Sequence, residues 1–304
     1  MQTLRRISFV ALVLAFAQIV FGAIVRITGS GMGCGDHWPK CLGQWFPPHD
    51  RFDLIIEISH RYLAFALSLV ILWLLISAWR MRQAPGVAGP GGVLRPAVAA
   101  SVLVVAAALL GAVTVKLELN PLVIAAHLTI AMSLLAILAV STFRAGGLGA
   151  AGITGSGSPK AWGSARVAVI LSLLTLVLGA LTANLPDAAS SCGGFPWCRT
   201  VNAEGTPFNV HILHRILAFA LMGHMIGVFM SSRKRQDPVP VRNAARLAFA
   251  AVVVQVLVAA AMIEMAFPAS LRSLHQAVGT FVWLVIVIFA IRARAAWRAP
   301  AATA

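Results

Sequence analysis

Eight apolar runs, each about the 20 residues an α-helix needs to cross a bilayer core, fall at 7–26, 55–79, 97–116, 121–143, 166–184, 209–231, 244–264 and 270–291. In hydrocarbon the backbone N–H and C=O groups must be satisfied within the segment, so runs of this length and continuity read as helices. The expected fold is an all-α integral membrane protein with eight transmembrane helices. Composition agrees: 60% of the 304 residues are hydrophobic and 11% charged, with a mean hydropathy of +0.88, outside the range of soluble domains. The first run follows Arg5 and Arg6 and carries a small-residue AFA at 15–17, the outline of a cleavable leader. It continues to Val25 and has a counterpart later in the chain, so it reads as a span.

The net charge of +15 raises the question of nucleic acid, but its distribution points to the bilayer instead. With the N-terminus placed inside, most of the Lys and Arg fall in inner segments, including Arg80, Arg82, Arg95, Arg144, Lys160, Arg233, Lys234, Arg235 and Arg292. Every acid except Asp237 falls at an outer end. This is the positive-inside pattern, with both termini cytoplasmic in a bacterial-type inner membrane and no nucleic-acid partner. All four cysteines lie in two outer segments, Cys34 with Cys41 and Cys192 with Cys198. On the oxidising side of a membrane these spacings read as two local disulfides.

An internal repeat organises the spans. IVFGAIVRITGSGMGCGDHWPKC (19–41) is echoed by LVLGALTANLPDAASSCGGFPWC (176–198), and EISHRYLAFAL (57–67) by HILHRILAFAL (211–221). Likewise NPLVIAAHLTIAMSLLAIL (120–138) and FPASLRSLHQAVGTFVWLV (267–285) each carry one histidine inside a helix that opens near a proline. Four helices per half is an even number, so the halves enter from the same side. The expected arrangement is two pseudo-symmetric four-helix bundles in parallel repeat, 1–143 and 166–304, joined by a Gly/Ser-rich cytoplasmic linker over 144–165.

Ionisable residues inside spans cost roughly 2 to 3 kcal/mol and usually mark function. His60, His127, His214 and His275 recur as matched pairs within spans, whereas His37 and His49 sit in the first outer loop and His211 at an outer helix end. His224 has no counterpart, the matching position being Val70, and reads as packing or hydrogen bonding. In a four-helix unit the second and fourth helices can face each other, and one histidine from each would supply two axial nitrogens to an iron porphyrin. Zinc would want more Cys or His close by. Bis-histidine haem, one per half, is the economical reading. Arg61 and Arg215 each follow a ligand at the outer helix end, where a cation can meet haem propionates or snorkel to headgroups.

The halves differ one turn ahead of the first ligand, where Glu57 stands in one and His211 in the other. A carboxylate beside a porphyrin edge can take a proton or orient water, which a haem that only relays electrons would not need. The plainer reading of Glu57 is an i, i+4 pair with Arg61. For Glu118 and Glu264, at outer ends of the third and seventh spans, interfacial solvation is expected.

GAIVRITGSGMGC, HWPKCLGQWFPP, EISHRYLAFAL, the histidine of AAHL, LHRILAFAL and the histidine of LHQAVG together resemble the haem A synthase family, over nearly the whole chain and in the same order. The resemblance implies that His60 and His127 flank the iron of the substrate haem O, that His214 and His275 ligate a haem B prosthetic group, and that Glu57 takes part in oxidising a porphyrin methyl group. The implied reaction is successive hydroxylation of that methyl with water as the oxygen source, followed by loss of water to give the formyl group of haem A. Electrons would leave by way of the second haem. Cys34 and Cys41 match the family's outer pair, linked to redox or haem transfer, while Cys192 and Cys198 look structural. Arg26, Trp38, Trp45 and the Pro47-Pro48 turn form either a lid over haem O or an interfacial aromatic anchor.

The competing reading is a dihaem membrane cytochrome that only moves electrons; against it stand the ligands' clustering near one leaflet and the unrepeated Glu57. A transporter would need broken helices and mid-membrane polar residues, whereas these spans are mostly Ala, Val, Leu and Ile. Expected partners are haem O, the haem O synthase that supplies it, the lipid bilayer and an electron acceptor, with a quinone among the options. A homo-oligomer is left open.

Overall fold

The computed structural model describes residues 1–47, 51–153 and 157–298. Eight helices carry the chain: α1 Gln2–Ile27, α2 Phe52–Arg80, α3 Leu94–Lys116, α4 Pro121–Arg144, α5 Pro159–Asn184, α6 Thr206–Lys234, α7 Val239–Glu264 and α8 Ala269–Arg298. All eight are long and apolar enough to cross a membrane, and the protein is an all-α integral membrane protein. The helices overrun the apolar runs, because basic residues such as Arg80, Arg144 and Lys234 extend their last turns, where a cation meets the negative end of the helix dipole.

The chain divides into two compact units, Met1–Ala145 and a second that begins at Gly146. In the first, α1 packs on α2, α2 on α3, α3 on α4 and α4 back on α1. In the second, α5, α6, α7 and α8 close the same four-membered ring. α2 and α4 are thus diagonal partners across one bundle, as α6 and α8 are across the other. α5 opens at Pro159, inside the stretch read as linker, because Ser158 Oγ accepts from Lys160 N and a proline occupies the first turn, a strong helix start. Asn120 and Pro121 start α4 in the same way. Residues 154–156 of the expected linker lie outside the described residues.

Packing is uneven along each bundle. In the first unit the fully buried positions concentrate at one end: Leu4, Ile7, Ala11 and Ala15 of α1, Ile71, Leu74 and Ala78 of α2, Ala97 and Ala100 of α3, and Met132, Leu135, Leu138 and Ala139 of α4. Their spacing of three and four keeps one helix face inward. The second unit has the equivalent core, built from Ala165, Ala168, Met225, Val228, Ala244, Ala248, Ile286 and Phe289 among others. Toward the opposite end, small residues and histidines replace this filling. Arg292 secures the packed end of the second unit, donating through Nη2 to Leu148 O at 2.7 Å and through Nη1 to Pro240 O at 3.2 Å.

Each bundle's open end carries a disulfide loop. Cys34–Cys41 joins the chain between α1 and α2, and Cys192–Cys198 the chain between α5 and α6. The first disulfide is buried against Leu54 and Ile58 of α2. The second loop adds a short antiparallel pair, β1 Cys192–Gly193 with β2 Thr200–Val201.

Candidate functional site

The four histidines sit in the loosely filled half of each bundle, and none is fully buried although each lies within a span. His60 on α2 and His127 on α4 belong to diagonal helices and are close enough to interact electrostatically. His214 on α6 and His275 on α8 stand in the same relation.

Every one of these rings is backed by the helix that precedes its own. Gln18 of α1 lies against His60, with its amide nitrogen 3.1 Å from Nδ1 and 3.2 Å from Nε2. His127 rests on α3, where a Cβ on Gly111 would lie 3.4 Å from ring atom Cε1 and 3.8 Å from Nδ1; that nitrogen is buried without a hydrogen-bond partner. His214 Nδ1 donates to Thr175 O of α5 at 3.0 Å. Gln255 of α7 backs His275, at 3.1 Å from Nδ1 and 3.3 Å from Nε2. The first histidine of each unit fits against a glycine: a Cβ would come within 3.0 Å of His60 Cε1 at Gly22 and 2.9 Å of His214 Cε1 at Gly179. These contacts escaped the sequence reading, although the GA of FGA and LGA stands in the repeat and a glutamine inside an apolar span is itself a signal.

Each unit thus holds two imidazoles on diagonal helices, each seated on a glycine or an amide of the preceding helix. That arrangement fits an iron porphyrin with two axial imidazoles. Among the described residues no three His, Cys, Asp or Glu side chains come together to hold a bare metal ion. The donor set therefore suits a cofactor that brings its own equatorial ligands.

One turn outward, the Glu57–Arg61 and His211–Arg215 pairs do matched work. Glu57 is buried, with Oε2 accepting from Cys34 N at 2.8 Å and Oε1 from Arg61 Nη2 at 2.6 Å. Arg61 Nη1 donates to the carbonyls of His37, Pro39 and Lys40 at 2.9, 3.2 and 2.8 Å. In the second unit Arg215 Nε donates to His211 Nε2 at 3.0 Å, Nη1 to Gly194 O at 2.8 Å and Nη2 to Cys192 O at 2.9 Å. Because His211 Nε2 accepts, its ring hydrogen sits on Nδ1 and donates to Ala188 O at 2.8 Å. Both arginines are thus clamps on a disulfide loop. The glutamate receives a hydrogen bond from its loop, whereas the histidine gives one, so the two wirings have opposite polarity. Among the described residues no hydrogen bond joins Glu57 to His60.

Other parts of the first loop are fastened to α2 and α3. Tyr62 Oη donates to Trp45 O, and Lys40 lies 5.7 Å from the Trp45 ring centroid. Lys116 of α3 donates to Asp36 at 3.3 Å, and that hydrogen bond and charge hold the Asp36 carboxyl below the usual carboxylate range. Trp38 and Trp45 are exposed and Pro47 is buried; Pro48 and His49 lie outside the described residues. Glu264, expected to be merely solvated, instead anchors the second loop, accepting from Phe195 N at 2.9 Å and from Arg199 at 2.6 Å. No local pattern signals this contact, because Arg199 is 65 residues away. His224 Nε2 donates to Ser164 O at 2.9 Å, a packing bond within the second unit.

The sequence model of the cytochrome oxidase assembly protein family matches residues 5–287. The chain belongs to this family. Among its curated relatives, the heme A synthase of Geobacillus kaustophilus (strain HTA426) is 33% identical over 215 residues, covering 67% of this chain and 64% of the relative. The heme A synthase of Alkalihalophilus pseudofirmus is 28% identical over 207 residues, 66% of this chain and 67% of the relative. A Thermus thermophilus protein named protoheme IX farnesyltransferase is 29% identical over 286 residues, 90% of this chain but 46% of the relative. More than half of the Thermus protein therefore lies outside the matched region, and the match to the Geobacillus protein stops short of two thirds of its length.

Proposed function

We propose that this protein is a haem A synthase, which oxidises a methyl substituent of haem O to a formyl group with water as the oxygen source. The observation that carries the reading is the repeated diagonal histidine pair, present in both units, combined with a carboxylate present at the equivalent outer turn of only one. The relatives named heme A synthase point the same way.

In this reading His60 and His127 hold the substrate's iron and fix the porphyrin within the first unit. Glu57 lies one helical turn outward of His60 and takes the proton released as water is added to the methyl carbon. Arg61 and the Cys34 N–H hold that carboxylate in one orientation, and the disulfide loop they fasten keeps bulk water from the reacting edge. Arg61 and Arg215 can also meet propionates, through N–H groups not spent on the loops. A haem B held by His214 and His275 would supply one-electron transfer, the outlet for electrons removed from the substrate. Cys34–Cys41 is the pair tied directly to Glu57, while Cys192–Cys198 shapes the second loop.

The two bundles are a parallel repeat with both termini cytoplasmic and the cysteine loops on the outer face of the inner membrane. The enzyme that farnesylates haem is the natural supplier of substrate, a view supported by the Thermus relative's name and its unmatched length. The electrons pass on to an acceptor outside this chain, a quinone or another membrane carrier.

The test is expression with a haem O source, followed by extraction and chromatographic separation of the pigments. Intact protein is expected to yield haem A. Glu57→Gln is expected to retain haem B and accumulate haem O or a singly hydroxylated pigment. Unmodified haem from the intact protein under confirmed haem O supply would favour a dihaem electron carrier instead.

A further inference from the structure

Two glutamines inside spans are left unexplained by the ligand set. The amide nitrogens of Gln18 and Gln255 lie almost equally far from both nitrogens of their histidine rings. A nitrogen so placed lies against the ring rather than in line with either lone pair. Each also donates to the backbone carbonyl of the same histidine, at 3.1 Å for His60 and 3.0 Å for His275. The other half of each amide is idle: Gln18 Oε1 and Gln255 Oε1 are buried without a hydrogen-bond partner. A buried acceptor in that state is uncommon and asks for a reason.

The other histidine of each pair is supported differently. His214 already has a fixed acceptor, the Thr175 carbonyl, whereas His127 rests on Gly111 of α3 with its Nδ1 buried and without a hydrogen-bond partner. The repeat LTLVLGA and AQIVFGA puts Thr175 where Gln18 stands. Among the described residues, each unit therefore has one of its two span histidines backed by a side-chain amide that can turn over. The amide-backed ring belongs to the second helix in the first unit and to the fourth helix in the second.

Resting on the haem reading above, we propose that Gln18 and Gln255 are positioning residues that serve as adjustable acceptors for His60 and His275. An imidazole that gives one nitrogen to iron carries hydrogen on the other, and that N–H needs an acceptor to fix ring orientation and raise ligand basicity. The idle Oε1 meets the need once the amide turns about its terminal torsion and the ring turns its iron-free nitrogen toward it. Loading the site thus satisfies an acceptor that is otherwise idle. Gln255 tunes the resident haem and Gln18 the substrate's iron, so the two sites are adjustable separately.

The test uses the whole protein purified with its resident haem. Gln255→Leu keeps the bulk and removes the acceptor, and Gln255→Glu restores an acceptor at the same reach. Losing the acceptor makes the ligand less basic, so Gln255→Leu is expected to raise the midpoint potential of the resident haem. It should also weaken its retention by on the order of tenfold, with Gln255→Glu restoring retention and bringing the potential back down. Gln18→Leu should leave that potential unmoved and weaken haem O binding to the first unit by a similar factor. Unchanged potential and retention in Gln255→Leu, with a bis-imidazole spectrum like that of the parent, would overturn the inference while leaving the haem reading intact. A parent protein that holds no haem would overturn both.

Discussion

At the scale of single residues, the constraint closest to the site is the contact between glycine and imidazole. Gly22 and Gly179 have no room for a methyl group without displacing His60 or His214. Forcing a methyl into such a contact costs about 1–3 kcal/mol, or else the ring leaves its position. Gly179→Ala is expected to lower the haem B content of the purified protein while the helices stay intact, measured by pyridine haemochrome against circular dichroism. Equal haem content in parent and variant would show that the ring is free to move. Gly22→Ala should spare haem B and reduce haem O binding. The histidines themselves were legible in the sequence because an ionisable residue inside an apolar run is conspicuous. Their glycine seats were not, since a glycine in a span has many uses and only the helix pairing shows which ring it faces.

At the scale of elements, the outer turn of α2 and its disulfide loop form one fastened piece, as do the outer turn of α6 and the second loop. The His-Arg repeat was legible as a motif, and Glu57 as its asymmetric neighbour. That the arginines reach across to loop carbonyls was not legible, because the loop's path is set by contacts more than 20 residues apart. A lysine has no planar fork to bridge several carbonyls. Arg61→Lys is therefore expected to loosen the first loop: the carbonyls of His37, Pro39 and Lys40 are exposed and turn to water, while a buried Glu57 that loses its paired N–H costs about 1–3 kcal/mol. Hydrogen exchange should speed up at the Cys34 amide and its neighbours, with the Cys192–Cys198 loop unaffected. Protection unchanged at Cys34 would mean that Glu57 and the disulfide hold the loop alone. α5 offers the opposite lesson. Its Ser-Pro start was visible in the sequence, yet the Gly/Ser content of the preceding stretch outweighed it and placed the helix start too late.

At the scale of the whole molecule, eight spans followed from hydropathy alone, since unbroken apolar runs of about 20 residues suit a spanning helix, whereas a barrel strand needs about half that length. The ring order of helices within each unit needed the structure, and that order makes α2 and α4, or α6 and α8, diagonal partners. Function follows from the placement of one histidine pair per ring. The central claim is that the two pairs hold two different haems, one resident and one a substrate. The measurement that tests it most directly is the haem inventory of His60→Ala, His127→Ala, His214→Ala and His275→Ala proteins, purified after expression with a haem O source and resolved by reversed-phase chromatography. The account predicts that the first two variants keep haem B and lose haem O and haem A, while the last two lose haem B. Loss of the same haem from all four variants, or of none, would contradict it.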